Sequence, residues 1–374
     1  MKIGILLGPN ARGGMERQAK LLAQGLLAHD ISAHIIFNSR PSRSRDGMDW
    51  TSIPHQYLWR YNPFKKVAQC YLGLLLKSHR IDLLHVFYWG NVEFAVGVMR
   101  WARNVAFVGS QRDTDFVTHK DIKERLKKAC VSYDHLTCNS QVTRELMDYL
   151  DICPSNKVRV IYNGVVIPER TGPEIKAMKC RTERMILFPN RLFSYKNPIL
   201  FIEACAEVWR RLENIRIVVC GWGDLEEAMK ERCKELEIIQ YCDFLGSLLP
   251  EEIPYGKADV VVNCSSSREG MSNSLMEALA HGVPVVATRV AGNSELLSNA
   301  NFGRLIPIND KDALVTAMCD LLSISSERRV ALGKEAREYM VRNFSVERFV
   351  NEHISFYRDV LTQHRSKMTR TGLA

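Results

Sequence analysis

Apolar residues in this chain alternate between short unbroken runs and stripes spaced three and four apart. Lys2 to Leu7 is one such run, closed by Gly8-Pro9, and Leu21, Leu22, Leu26 and Leu27 then share one side of a helix over about 16–27. Runs at Ser32 to Phe37, Ile81 to Val86, Val105 to Gly109, His135 to Asn139 and Val158 to Ile161 predict strands, with helices at about 64–78, 91–103, 119–130 and 140–150. Pro168-Glu169-Arg170-Thr171-Gly172-Pro173 interrupts this alternation, and a domain boundary is expected there, between 170 and 171. The alternation restarts with strands at Met185 to Phe188, Ile215 to Cys220, Cys242 to Leu245, Asp259 to Cys264 and Pro284 to Thr288, and helices at about 197–212, 224–236, 273–281 and 310–323. Phe349, Val350, Ile354, Tyr357, Val360 and Leu361 make Ser345 to Gln363 an amphipathic last helix, able to pack back on the first domain. Strands that alternate with helices imply parallel sheets covered on both faces, so the pattern predicts an α/β protein of two doubly wound, Rossmann-like domains in tandem. Ligands in such sheets sit beyond the carboxyl ends of the strands, and two domains facing one another would enclose a cleft there.

Length agrees with two domains: 374 residues, at roughly 100–200 per domain. A 46% apolar content and a mean hydropathy of −0.16 exclude a disordered chain. No run approaches the roughly 18 apolar residues of a membrane span, and the start is too short for a signal peptide, so a cytosolic protein is expected. The 11 cysteines contain no C-x-x-C pair and read as reduced, buried thiols. Charge is uneven. Residues 1–170 hold 24 cations against 15 acids, whereas 171–374 hold 27 of each. Cations cluster at Arg40, Arg43 and Arg45, at Lys65-Lys66, and through Lys120, Lys123, Arg125, Lys127 and Lys128, a distribution suited to an anionic membrane surface or an acidic acceptor. Without interleaved aromatics it does not suit nucleic acid.

The richest chemistry lies in Ser267 to Val286. An apolar strand ends in a polar turn, a helix begins near Ser272 or Asn273, and Gly282 ends it before the next strand. Such a helix start offers free backbone N–H groups to a phosphate. Glu269 lies in the loop and Glu277 about a turn into the helix; a carboxylate at the first place can accept hydrogen bonds from sugar hydroxyls, and one at the second can grip a ribose diol.

With seven residues between Glu269 and Glu277, this segment resembles the E-x7-E signature of family 4 glycosyltransferases. Gly13-Gly14-Met15-Glu16 resembles that family's first glycine-rich loop, and Asn139-Ser140 with Val160 to Val165 resembles the end of its first domain. Asn190-Arg191-Leu192 with Lys196-Asn197 is similar to its G-R-L…K-G segment, and Cys220-Gly221-Trp222-Gly223 and Phe244-Leu245-Gly246 follow in order. The resemblance implies the GT-B fold, retaining transfer from a UDP- or GDP-linked sugar bound by the second domain, and an acceptor, a glycan or lipid-linked precursor, bound by the first. Arg191 and Lys196 would hold the diphosphate, Glu269 the donor sugar, and Glu277 the ribose. Gly13, Gly14, Gly221, Gly246, Gly270, Met271, Ser272 and Asn273 would line the substrates, with backbone near 246–249 meeting the base. A cell-surface polysaccharide or lipopolysaccharide role, at the inner face of the membrane, follows from the same likeness.

Two positions depart from the family. Arg112 stands where many members carry a histidine that reaches the donor sugar, and Asn190 replaces the glycine of G-R-L, a mild change because Asn tolerates left-handed backbone. Asp113-Thr114-Asp115 forms a D-x-D that would suit Mg²⁺ or Mn²⁺. Arg191 and Lys196 solve the same charge problem, so no metal and no cofactor is expected. Gly8 and Gly13 lack the third glycine of a dinucleotide loop. Asn163-Gly164 predicts a tight turn. The rival readings are a nucleotide-sugar epimerase on the same fold and a non-catalytic protein that docks on anionic membrane.

Overall fold

The computed structural model describes residues 1–9, 13–39, 47–58, 65–87, 89–169, 183–298 and 300–370. Arg40, Arg43 and Arg45, and the expected boundary at 170, lie outside them. Two compact units are present: Met1–Gly164 together with Val346–Ala374, and Val165–Ser345.

The first unit holds a seven-stranded parallel sheet in the order β3-β2-β1-β4-β5-β6-β7. Its strands are β1 (Lys2–Leu7), β2 (Ser32–Phe37), β3 (His55–Tyr57), β4 (Leu83–Val86), β5 (Ala106–Gln111), β6 (His135–Cys138) and β7 (Val158–Val160). Successive side chains point to opposite faces, so Leu6, Ile36 and Leu84 enter one core while Ile5, Ile35 and Leu83 enter another. The first core is covered by α2 (Lys65–Ser78), α3 (Trp89–Met99), α5 (Lys120–Ser132) and α6 (Gln141–Tyr149), with the short α4 (Asp115–Thr118) before α5. The second core is covered by α1 (Gly14–Ala28), with Trp50 and Ile53 beside it, and the last helix, Val346–Arg370, completes it with Phe349, Val350, Ile354, Phe356, Tyr357, Val360 and Leu361.

In the second unit, β8 (Arg184–Phe188), β9 (Ile215–Val219), β10 (Cys242–Phe244), β11 (Val260–Asn263), β12 (Val285–Thr288) and β13 (Gly303–Ile306) form a parallel sheet ordered β10-β9-β8-β11-β12-β13. Its helices are α7 (Pro198–Arg211), α8 (Glu226–Glu235), α9 (Asn273–Ala280), α10 (Ala291–Leu297), α11 (Lys311–Ser323) and α12 (Ser326–Phe344), so the last helix is α13. Both sheets share one winding: the chain runs outward in one direction, returns, and continues in the other. The reversal falls between β1 and β4 in the first unit and between β8 and β11 in the second.

Several elements escape the apolar pattern. β3 is a three-residue edge strand, His-Gln-Tyr, with no apolar run, and β13 holds only two aliphatic residues. α12 buries a sparse row, Leu332, Gly333, Ala336 and Met340, among many charges. The predicted tight turn at Asn163-Gly164 is absent. Gly164 instead donates its N–H to Gln18 Oε1 (2.9 Å) and accepts from Gln18 Nε2 (2.8 Å), because α1 draws this segment into its own hydrogen bonding. The described cysteines are free thiols, and burial pushes Cys220 and Cys264 up to about 12. Among the described residues, no helix is long and apolar enough to cross a membrane.

Candidate functional site

The loops that leave β8 and β11 meet outside the point where strand order reverses, the place where open α/β sheets bind ligands. The loop after β8 carries Asn190, Arg191 and Lys196; that after β11 carries Ser265 to Ser272. They are tied together by backbone. Ser266 donates its N–H to the Tyr195 carbonyl (2.8 Å), and Asn197, in left-handed conformation at φ 51°, donates its side-chain amide to the Cys264 carbonyl (3.2 Å).

At the centre, the Lys196 ammonium forms an ion pair with Glu269 Oε1, and both side chains are largely buried. The same oxygen accepts from Ser265 Oγ (2.7 Å) and Asn263 Nδ2 (3.3 Å). Burial, the largest influence, pushes the Glu269 carboxyl up, but Lys196 and these hydrogen bonds together outweigh it and hold the group below the usual carboxylate range. All three contacts fall on Oε1. Oε2 has no hydrogen-bond partner among the described residues, which leaves it as the face able to accept from a hydroxyl.

Asn263 is the hub. Its amide also lies 2.9 Å from Ser272 Oγ and 3.4 Å from Asn190 Oδ1, and its carbonyl oxygen accepts from the Ser265 N–H (3.1 Å). Ser272 stands at the N-cap of α9 with no side-chain cap hydrogen bond, since its hydroxyl is engaged by Asn263. Gly270, Met271 and Ser272 are buried and Asn273 half-buried at that helix start. Glu277, one turn into α9 and buried, accepts from the Tyr255 hydroxyl (2.8 Å), whose ring stacks on His281 at 5.2 Å.

Arg191 is exposed at the rim and makes no ion pair with a described residue. Beside it, Gly221 donates its N–H to the Gly246 carbonyl (2.8 Å), while a Cβ on Gly221 would fall 1.9 Å from the Asn190 carbonyl oxygen. Only glycine permits that approach. Tyr195 carries two cations, with the Lys196 ammonium 5.6 Å and the Arg268 guanidinium 5.1 Å from its ring centre. Lys196, Glu269 and Ser272 are thus brought into one network, Gly221 and Gly246 are joined beside it, and Glu277 is held separately by Tyr255. Asn263, Ser265, Tyr255 and Tyr195 are partners that the motif left unmarked; the visible trace was an Asn closing an otherwise all-valine strand.

Gly13, Gly14 and Arg112 belong to the first unit. Gly13 is the N-cap of α1 and Gly14 its exposed first residue. Arg112 follows β5, donates to Asn163 Oδ1 (2.7 Å) and Ser110 Oγ (3.3 Å), and lies 4.9 Å from the Phe87 ring centre. Burial lowers this guanidinium to about 10, so it stays charged at neutral pH. Beneath it runs a buried polar chain: Tyr357 of α13 bonds His85 Nδ1 (2.6 Å), His85 Nε2 bonds Thr137 Oγ1 (3.1 Å), and Thr137 donates to Ser110 Oγ (3.1 Å). In the D-x-D segment, Asp113 Oδ1 accepts from Gln111 Nε2 (2.8 Å) and from the Asp115 N–H (3.2 Å), the bonds of a local turn.

Residues 12–167 match the family model described as Glycosyltransferase Family 4, and residues 175–339 match Glycosyl transferases group 1. Spore coat protein SA of Bacillus subtilis is 24% identical, over 93% of this chain and 96% of its own. A D-inositol 3-phosphate glycosyltransferase of Corynebacterium efficiens is 27% identical, over 75% of this chain and 72% of its own. Among solved structures, Anabaena HepE in complex with UDP-glucose superposes with a TM-score of 0.80 at 17% identity, covering 96% of this chain and all 100% of that one.

Proposed function

The chain belongs to the family 4 glycosyltransferases of the GT-B fold, and from that premise we propose that it is a retaining hexosyltransferase using a UDP- or GDP-linked sugar. The observation that carries this reading is the buried Lys196–Glu269 pair outside β8 and β11. In transfer, the bond from the sugar's anomeric carbon to the diphosphate breaks and its electron pair goes to the diphosphate oxygen. The acceptor hydroxyl oxygen takes the anomeric carbon, and nucleoside diphosphate and a proton are released. Negative charge therefore grows on the leaving group. Lys196, fixed by its partner, and Arg191, exposed at the rim, supply the countercharge without reorganisation at the moment of reaction. Glu269 keeps Oε1 on the protein and offers Oε2 to a donor hydroxyl. Glu277, aligned by Tyr255, receives the ribose diol, and Gly270 to Asn273 present the start of α9 to phosphate. With two cations at the diphosphate, the reading needs no divalent metal.

The acceptor in this reading is a glycan or lipid-linked precursor of a cell-surface polysaccharide, held by the cationic first unit at the inner face of the membrane. UDP-glucose bound to Anabaena HepE supports a nucleotide sugar as donor. A thermal-shift panel of UDP, GDP, ADP and TDP tests the reading: a nucleotide at 100 times its dissociation constant stabilises by about 2.7 kcal/mol. One base should stand out, and no shift with any of the four removes the donor site. Activity that survives chelator supports the metal-free route, and inactivation by chelator reversed by Mn²⁺ refutes it.

A further inference from the structure

One face of α2 is apolar where it meets water. The helix seats Ala68, Leu72, Leu75 and Leu76 in the core, yet Val67, Tyr71 and Leu74, at the spacing of a single helical stripe, are 62%, 54% and 59% exposed. Trp101, just beyond α3, is 43% exposed and packs on the flank of α2, about 100° around the helix from Leu74: a Cβ on the buried Gly73 would lie 2.4 Å from the Trp101 Cβ. Apolar side chains exposed singly need no explanation, but three in one helical stripe, with an exposed Trp on the same helix's flank, mark an interaction surface. The rim is cationic. Lys65, Lys66 and Lys77 on α2, and Arg100 and Arg103 flanking Trp101, are all exposed, and α2 contains no Asp or Glu. Glu93 of α3 stands 3.9 Å from Lys65 as the nearby acid.

A bilayer with anionic headgroups matches this combination, with acyl and glycerol surface for the stripe and phosphates for the rim. Tyr and Trp favour that interface, and lysine stems extend along it while their ammonium groups reach the headgroups. We propose that the exposed face of α2, with Trp101, docks on an anionic phospholipid bilayer and inserts Val67, Tyr71, Leu74 and Trp101 at its surface. The α5 cations are less suited, because Asp121 and Glu124 are interspersed with them and Lys127 is paired with Asp151. Docking through α2 makes the acceptor a lipid-borne one, a corollary that rests on the glycosyltransferase reading; the docking itself does not.

Cosedimentation of the full chain with vesicles of phosphatidylcholine alone, and of phosphatidylcholine mixed with phosphatidylglycerol, tests the proposal. Wild type should bind the mixed vesicles, less so as salt rises, with a blue shift of tryptophan emission that shrinks in Trp101→Phe. Tyr71→Ser combined with Leu74→Ser should weaken that binding at least about tenfold, as should Lys66→Glu combined with Lys77→Glu. Both variants should keep the wild-type nucleotide thermal shift, which separates a failure of docking from a failure of the donor reading. Wild type that ignores mixed vesicles at low ionic strength, or a Tyr71/Leu74 variant that binds like wild type, overturns the proposal. So does a wild-type dimer that this variant dissociates, which would assign the stripe to a second copy of the chain.

Discussion

Lys196 spends the resting state paired with a carboxylate oxygen that two further donors, Ser265 and Asn263, also hold. Its charge is positioned before any ligand arrives, so its loss should fall on turnover more than on binding. Lys196→Ala is expected to lower kcat by about 10²–10³, the scale for a preorganised charge-stabilising group, with a smaller change in KM. Steady-state kinetics with varied donor separate the two, and a loss confined to KM contradicts the assignment. Tyr255→Phe removes only the hydroxyl that aligns Glu277. Nucleoside diphosphate binding should weaken by about 1 kcal/mol, roughly fivefold, in calorimetry, and a 2′,3′-dideoxy nucleotide should bind both proteins equally. Glu269 and Glu277 stood out in the sequence by the seven residues between them, and Lys196 by its likeness to the family's G-R-L…K-G segment. Asn263 and Tyr255 did not. Asn263 is a lone polar residue ending β11, and Tyr255 precedes Glu277 by 22 positions in an unrelated turn, so only folding brings its hydroxyl to the carboxylate.

At the scale of elements, α13 brings titratable groups into the first unit's core. His353 is fully buried; burial, the dominant influence, lowers it to about 3, even though the Phe349 carbonyl accepts from Nδ1 at 2.8 Å. His85, Arg112 and Tyr357 surround it: the Arg112 charge also lowers it, and the His85 and Tyr357 ring centres lie 5.8 and 5.7 Å away. The unfolded chain takes a proton on this histidine below about 6.5, and the folded chain does not until about 3. Between those values the unfolded state binds more protons, so stability rises with pH and falls on acidification. Urea midpoints measured from pH 7 down to pH 4 should drop, and His353→Phe should flatten that drop; an unchanged slope contradicts the assignment. The strands of both sheets were legible because parallel strands buried on two faces read as continuous apolar runs. β3, His-Gln-Tyr, has no apolar run and β13 only two aliphatic residues, Leu305 and Ile306, and the sparse stripe of α12 was diluted by its charges.

Over the whole molecule, the two doubly wound sheets follow from one alternation of strand and helix repeated along the chain, and the amphipathic last helix was visible in its own spacing. That it could pack back on the first domain was an expectation which the stripe alone did not require, because an apolar stripe does not name its partner. In the structure, seven apolar residues of α13 lie in the first unit's core. Burying them contributes roughly 10–20 kcal/mol at about 1.5–3 kcal/mol each, comparable with the 5–15 kcal/mol total of an ordinary domain. A chain ending at Ser345 should therefore lose the first unit's cooperative transition in calorimetry and bind a hydrophobic dye; retention of both native transitions refutes this. The same connection sets an order in time. On the ribosome, the β1–β7 sheet emerges first, but one of its faces has only α1 and its neighbours as cover until residues 165–345 have been made, a delay of about 10–40 s at 5–20 residues per second. The half of the protein that is synthesised first is the half that matures last, and throughout that interval the part of its sheet left open beside α1 is the surface a chaperone would have to guard.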